Sequence, residues 1–557
     1  MIGATSIANP SKFWTGRVTA IAWPVAALIL LTALQFFLIF SKSYNWDEFL
    51  HYSMVYQLHE GTLARPFQTL LARLLGWIPG VSDDLMTQMA IARAFAWSAF
   101  LVGLSAMYGL ARQFGSKVDA LWTTLIYFGA GSVFVHGFAI RTDPLAMAGL
   151  MLSLYLLAAR KLDMLNILTV GFIVGFVGLL TVKSIFYAPC FAGIAWLRFA
   201  NAENKKATVV RILAIVPVAI TTFVGLYFLH RAGLAPTPLS QQGPAFVSNG
   251  VKWLTDGLLR QPYYTLMAFL TAPLFVYALL SSPAAWRTSG LSRPKTLALV
   301  GLALPLLTIL FYRNAFPYFF VFIFAPVAVA LTPAVAMLRA RFGPAVLFAL
   351  ICIVPLGKFM TEPRQVMDGQ EALIEYVHRQ FPDGALYFDY CGIIADYPRV
   401  IDHLISGIGL KNYHARGVPL VAQAVQRGEL AFVVANRPAI VDALTGKQSS
   451  DEKLLPADVA ALRGNYVRVG GGLWLAGEMV PAGPRTHIIH VPHRGTYIAN
   501  SSITVNGVTY RRGSTIDLDR GHHNVASGGN AQAILWRGTR LPEPVPTEMT
   551  EEVFTKF

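Results

Sequence analysis

Between about position 18 and position 358 the chain is a succession of long apolar runs separated by short polar breaks; beyond position 365 it changes to short alternations. A helix that crosses a bilayer needs about 20 mostly apolar residues. Runs of this kind fall at about 18–40, 88–111, 119–138, 145–159, 165–182, 185–198, 211–230, 263–281, 296–312, 317–337 and 343–358. They predict about eleven transmembrane helices. The opening run is too long for the core of a signal peptide, and no small-residue cleavage site follows it, so it reads as a retained first helix.

The polar breaks predict an orientation. With the N-terminus in the cytoplasm, the inner loops carry Arg112 and Lys117; Arg160 and Lys161; Lys205, Lys206 and Arg211; Arg287, Arg293 and Lys295; Arg339 and Arg341. Every one of them is basic, as the positive-inside rule asks. The opposite side then receives a first loop at 41–87, a turn at 139–144, a loop at 231–262, the turn around Arg313 and the whole C-terminal region. Within the first loop, Leu63 to Ile78 mixes Arg65, Gln68 and Arg73 with leucines, which predicts an amphipathic helix in the interface plane.

The expected domains are a membrane domain at 1–358, an α/β domain at 359–483 and a β-rich module at 484–557. In the α/β part, helices are predicted at Glu371 to Gln380, Val421 to Arg427 and Ala457 to Leu462, with strands at Ala385 to Phe388 and Ala431 to Val434. After Pro484, strands are predicted at His487 to Val491, Thr496 to Ile498, Ile503 to Val505, Thr515 to Leu518 and Ala533 to Leu535, separated by glycine-containing turns.

Composition agrees. Hydrophobic residues make up 55% of the 557 and charged residues 13%, about half the 25% of a soluble globular protein, and mean hydropathy is +0.50. An ordinary soluble enzyme is excluded. The formal charge of +15 lies mainly in the short loops and forms no basic stripe with interleaved aromatics, which argues against a nucleic-acid partner. Cys190, Cys352 and Cys391 form no metal-type cluster, and Cys391 alone cannot make a disulfide within the C-terminal region.

The candidate chemistry lies at the outer ends of the spans. Asp47 and Glu48 follow the first span in Tyr44-Asn45-Trp46-Asp47-Glu48; Arg141 and Asp143 stand between the third and fourth; Lys183 ends the fifth; Arg313 and Asn314 lead to Tyr318 between the ninth and tenth. Charges at span ends are costly unless they are paired or functional. Read singly, Asp143 opens a helix ahead of Pro144 and the arginines snorkel. Read together, carboxylates that take a proton from a hydroxyl face cations that hold a phosphate. No Walker or Rossmann fingerprint is present, so a membrane-anchored phosphate donor fits better than a nucleotide.

At these residues the chain resembles the GT-C superfamily of integral membrane glycosyltransferases, and within it the bacterial enzymes similar to protein O-mannosyltransferases and lipid A aminoarabinose transferase. The resemblance covers roughly residues 15–360 and rests on Asp47-Glu48, Arg141-Thr142-Asp143-Pro144, Lys183 and Arg313-Asn314-Ala315-Phe316-Pro317-Tyr318. It implies a GT-C-like fold in a bacterial inner membrane with a periplasmic C-terminal domain. It also implies a polyprenyl-phosphate-sugar donor and inverting transfer to a glycan, glycolipid or protein acceptor. Asp47 becomes the catalytic base, with Glu48 its neighbour and Asp143 the second acid. Lys183, Arg313 and Arg141 become phosphate ligands. His51, Tyr44, Asn314 and Tyr318 are candidates for positioning substrate. Some relatives use a divalent metal; His51, four positions after Asp47, could ligate one or orient the carboxylate, but no ligand set is identifiable from the sequence, and His487, His490 and His493 alternate faces of a strand and make a poor site. The alternatives are a lipid-linked saccharide flippase, a polymerase or ligase using a lipid-diphosphate donor, and a glycan-binding assembly protein.

Overall fold

A computed structural model describes residues 10–236, 259–402, 404, 407–550 and 552–555; most of the expected outer loop 231–262 lies outside them. Five helices in this set are long and apolar enough to cross a membrane: Ile21–Ser41, Leu85–Ala111, Thr142–Ala159, Lys205–Ala232 and Arg293–Leu310. Counting each of three broken pairs as one span raises the number to eight. The chain is a multi-pass α-helical membrane protein with a C-terminal β-sheet domain.

The expected count of about eleven is therefore corrected, because three apolar runs do not make membrane-length helices. Run 119–138 divides into Lys117–Phe128 and Gly131–His136. Runs 165–182 and 185–198 give Met164–Leu180 of 17 residues and Ala188–Ala200 of 13. The first break has a packing cause: a Cβ on Gly129 would stand 2.8 Å from Ile351, and one on Gly131 would stand 2.6 Å from Thr271. Hydropathy registers the apolar residues but not these close approaches. The amphipathic helix expected over Leu63 to Ile78 also shortens, to Leu70–Leu75 and a 3-10 turn at Ile78–Gly80. Pro66 and the left-handed Gln68 (φ +63°) interrupt it, and its leucines Leu70, Leu71 and Leu75 are buried and do not lie on a lipid surface.

The residues fall into two units, Met1–Ser41 with Gln57–Glu362, and Lys42–Tyr56 with Pro363–Phe557. In the first, the basic loops are tied in pairs. Arg339 Nε donates to Asp119 Oδ1 at 2.8 Å, joining the start of Lys117–Phe128 to the end of Thr332–Arg341. Arg198 donates to the carbonyls of Ala158 and Arg160. Buried Arg93 donates to the Ile39 carbonyl near the end of the first helix, where the exposed carbonyls carry partial negative charge.

At the centre of this unit lies Phe319–Ala330, with all of its residues buried, the pattern of a helix packed on every side. Pro326 has no N–H for the carbonyl of Phe322, four residues back. The Tyr187 hydroxyl donates to that oxygen at 2.6 Å, and Tyr127 donates to Val321 O at 2.6 Å. An apolar interior offers no water in their place. Tyr187 thereby fixes the 3-10 segment Val182–Tyr187 against this helix.

In the second unit, β1 (Leu386–Phe388) pairs in parallel with β2 (Leu430–Val434), and the crossover contains Gly407–Arg416 and Leu420–Arg427. β4 (Leu473–Val480) pairs with β2, with β3 (Tyr466–Gly470) and with β11 (Ala533–Arg537), and β11 leads on to β6 (Gly495–Ala499) and β9 (Thr515–Leu518). A second sheet holds β5 (His487–Val491), β7 (Ile503–Val505), β8 (Val508–Tyr510) and β10 (Gly521–Ser527). Alternate residues of both sheets, among them Val491, Ile503, Val525 and Leu535, form one apolar core.

Two outcomes test this packing. Tyr187→Phe is expected to lower stability by about 1–3 kcal/mol, the cost of leaving a buried carbonyl unpaired; thermal unfolding in detergent indistinguishable from wild type would contradict the assignment. On β4, burial pushes the Glu478 carboxyl up from 4.5 to about 8. A raised folded-state pKa makes its contribution largest below the unfolded value and loses it as pH rises through about 8. The wild-type melting temperature is therefore expected to fall between pH 4.5 and 8, with a shallower fall in E478Q; equal slopes in the two proteins would refute this.

Candidate functional site

Four of the sequence-selected residues are gathered in the first unit. Arg141 precedes Thr142–Ala159 and Asp143 lies in its first turn. Lys183 lies in Val182–Tyr187, and Tyr318 immediately precedes Phe319–Ala330. The Lys183 Nζ donates to Asp143 Oδ1, and Arg141 Nε donates to Asp143 Oδ2 at 3.4 Å. The Arg141 guanidinium lies 3.3 Å from the centre of the Tyr318 ring, and Lys183 Nζ lies 5.9 Å from the same ring. Asp143 is wholly buried, while Arg141 and Lys183 are 9% and 7% exposed.

One carboxylate thus holds two cations drawn from different segments, and an aromatic face covers them. Buried like this, the carboxylate cannot be removed without stranding positive charge, and the ring adds cation–π attraction. Asp143 is engaged in holding Arg141 and Lys183, which makes it a poor candidate for proton removal. Tyr312, on the turn before Tyr318, faces the same group. Its hydroxyl is pushed up by burial and then by the Asp143 charge, and Asn314 hydrogen-bonds to it. Arg313 and Asn314 are half-buried on that turn. In the sequence Arg313 and Asn314 mark this turn by their polarity, whereas the role of Tyr312 follows from burial, which hydropathy does not display.

Asp47, Glu48, His51 and Tyr44 belong to the second unit. Asn45 caps helix Trp46–His59: its Oδ1 accepts from Asp47 N at 3.0 Å, while Glu48 Oε1 accepts from Asn45 N at 3.1 Å. Asn45 thus serves as an N-cap through the N2 amide, and the return bond from Asn45 N gives Glu48 a structural task. Asp47 and Glu48 are buried, His51 half-buried one turn later. Tyr44 is buried too, and its backbone exchanges hydrogen bonds of 2.9 Å with the Gln370 side chain. Asp47 also contributes to the upward shifts of Tyr390 and Cys391, whose largest cause is burial.

Those two residues lie in a loop that the sequence reading did not select. Asp389, at the carboxyl end of β1, accepts from Gly392 N, Ile393 N and Asn436 Nδ2 at 2.8–3.1 Å. Arg399 lies 4.0 Å from Asp389 and donates to Ser53 Oγ at 3.1 Å, on the helix that bears Asp47. Gly392 is required there by its φ of +87°, and a Cβ would come within 2.9 Å of Arg399 Cζ. Loops at the carboxyl ends of parallel strands are common ligand sites, a signal that a strand followed by Asp389-Tyr390-Cys391-Gly392 carries faintly. Among the described residues no group of three or more His, Cys, Asp or Glu is placed to hold a metal ion.

The fold of the chain is shared with solved structures of distant sequence. No protein-family model matches the chain, and no curated protein matches it by sequence. Among solved structures it is similar to ArnT from Cupriavidus metallidurans. The apo form aligns with a TM-score of 0.54 and 14% identity, over 77% of this chain and 95% of that one. The form bound to undecaprenyl phosphate aligns with a TM-score of 0.53 and 12% identity, over 74% and 92%.

Removing the shared carboxylate tests the cluster. Asp143→Ala is expected to cost about 3–5 kcal/mol, and Lys183→Met less, because Arg141 still neutralises Asp143. Thermal unfolding in detergent with both variants close to wild type would show that the ion pairs do not hold these segments.

Proposed function

We propose that the chain is an inverting glycosyltransferase that moves a sugar from a polyprenyl-phosphate donor to a hydroxyl acceptor at the non-cytoplasmic face of a bacterial inner membrane. The observation that carries this is the buried gathering of Arg141 and Lys183 on Asp143 under Tyr318, within a GT-C fold. A lipid phosphate is the ligand that such paired cations suit, and a similar solved structure, ArnT, was determined with undecaprenyl phosphate bound. The basic loops, tied together by Arg339–Asp119 and by Arg198, favour the cytoplasm as their side. The periplasm then receives the C-terminal domain.

In this reading Asp47 accepts the proton of the acceptor hydroxyl as its oxygen forms a bond to the anomeric carbon. The bond from that carbon to the phosphate oxygen breaks, and the electron pair leaves with polyprenyl phosphate. Lys183 and Arg141, with Arg313, offset the charge that develops on the leaving phosphate. Asp143 holds the two cations in place, and Tyr318 fixes the plane of Arg141. Glu48 keeps the helix bearing Asp47 capped. Tyr44 anchors the approach to that helix, His51 supports Asp47 from the next turn, and Asn314 orients Tyr312 beside the phosphate ligands. A single displacement inverts the anomeric configuration. The acceptor class is a cell-envelope glycan, glycolipid or protein.

A transfer assay with the full-length protein, a polyprenyl-phosphate sugar and an envelope extract as acceptor tests the roles. Asp47→Asn is expected to lower turnover by roughly 10²–10⁴-fold without unfolding the protein, while Lys183→Ala raises the donor KM. Near-normal turnover in D47N would eliminate Asp47 as the base. An unchanged donor KM in K183A would remove Lys183 from phosphate binding.

A further inference from the structure

A cavity of about 630 Å³ lies against helices Leu85–Ala111 and Thr142–Ala159, lined by Val102, Ser105, Tyr108, Arg112, Leu152 and Tyr155 among others. That is within the volume range of small-molecule sites, about 300–1,000 Å³. The helices are drawn together at two glycines. A Cβ on Gly103 would stand 2.6 Å from Met147 Sδ, and one on Gly109 would stand 2.6 Å from the Tyr155 ring. Tyr155 lies flush on the backbone at Gly109, and the cavity is bounded by its ring. Val102 is half exposed and Ser105 is exposed.

The wall changes character along its length. Leu101, Val102, Ala106 and Leu152 are apolar, while Tyr108, Arg112 and Gln113 gather at the end where Leu85–Ala111 finishes. None of the lining residues is acidic. Arg112 Nε is buried with no hydrogen-bond partner among the described residues, an expensive state for a cationic donor. Asp119 and Asp163, in the polar segments that follow the two helices, are engaged elsewhere: Asp119 accepts from Arg339 and Ser116, and Asp163 accepts from Asn166 N. A cavity that is apolar along a membrane span and cationic at the headgroup level matches an anionic amphiphile.

The donor-phosphate site is a different place. The cavity meets Thr142–Ala159 at Leu152, Tyr155 and Ala159, whereas Asp143 sits in the first turn of that helix. At 1.5 Å rise per residue, Asp143 lies roughly 14 Å along the helix from Leu152 and roughly 24 Å from Ala159.

We infer that this cavity binds one anionic glycerophospholipid from the leaflet that borders the Arg112–Lys117 loop, with its phosphate diester on the Arg112 guanidinium and an acyl chain along Val102, Ala106 and Leu152. The inference goes beyond the transfer reaction and does not depend on it.

Native mass spectrometry of the full-length protein in neutral detergent tests it, with phosphatidylglycerol and phosphatidylcholine of identical chains and no donor or acceptor present. Wild type is expected to retain one phosphatidylglycerol with about tenfold preference, the weight of one charge-assisted contact. Arg112→Gln is expected to abolish the preference, and Ser105→Trp, which fills the mouth from an exposed position, to abolish retention. Equal retention of both lipids by wild type, or undiminished preference and retention in both variants, would overturn the site. Displacement of the lipid by inorganic phosphate alone would mark a soluble-anion site and would overturn it as well.

Discussion

The buried carboxylate of Asp143 is the constraint on which the rest of the site depends. It draws Arg141 from its own turn and Lys183 from a separate 3-10 segment, 40 residues further along the chain. Neither cation would be stable in an apolar bundle without it. Tyr318 adds an aromatic face, so three segments of sequence converge on one charge group. Tyr187 secures the Lys183 segment from below by supplying the donor that Pro326 denies to the Phe322 carbonyl. Proline, tyrosine and ion pair act as one device that holds positive charge in a fixed position.

A fixed pair of cations is what transfer from a lipid phosphate asks of a protein. In the proposed reaction the leaving group is already a phosphate, so the protein need not supply a strong acid; it has only to offset a charge that grows in a known place. Preorganised charge does this without moving during the reaction. The helix bearing Asp47 is prepared on the same principle. Its N-terminal cap uses Glu48, and Arg399 reaches Ser53 from the loop that Asp389 organises. Adjacent carboxylates therefore carry different tasks, one spent on the backbone and one proposed for chemistry.

Much of this was legible from sequence because its signals are chemical. Charges at the ends of apolar runs stand out, and Arg141, Asp143, Lys183 and Tyr318 are all marked by their positions there. Five of the seven strands after Pro484 are legible for a similar reason, since alternation and glycine turns mark a half-buried sheet, while Val508–Tyr510 and Gly521–Ser527 are not among those predicted. The span count was not, because Gly129 and Gly131 look apolar in a hydropathy profile while the close approach of Ile351 and Thr271 breaks the helix there. The amphipathic stretch after Leu63 misled because its leucines face protein and its left-handed Gln68 cannot continue a helix. Asp389 and Arg399 gave no local signal; their meaning comes from the parallel pairing of β1 with β2, which only the fold reveals.

The central claim is that Lys183 and Arg141, gathered on Asp143, hold the donor's phosphate. An experimental structure of the full-length protein with a polyprenyl phosphate tests it most directly. Phosphate oxygens within hydrogen-bonding reach of Lys183 Nζ or the Arg141 guanidinium, with Asp143 still between them, are the predicted result. A lipid phosphate resting on other side chains while those ion pairs stay closed would contradict the account.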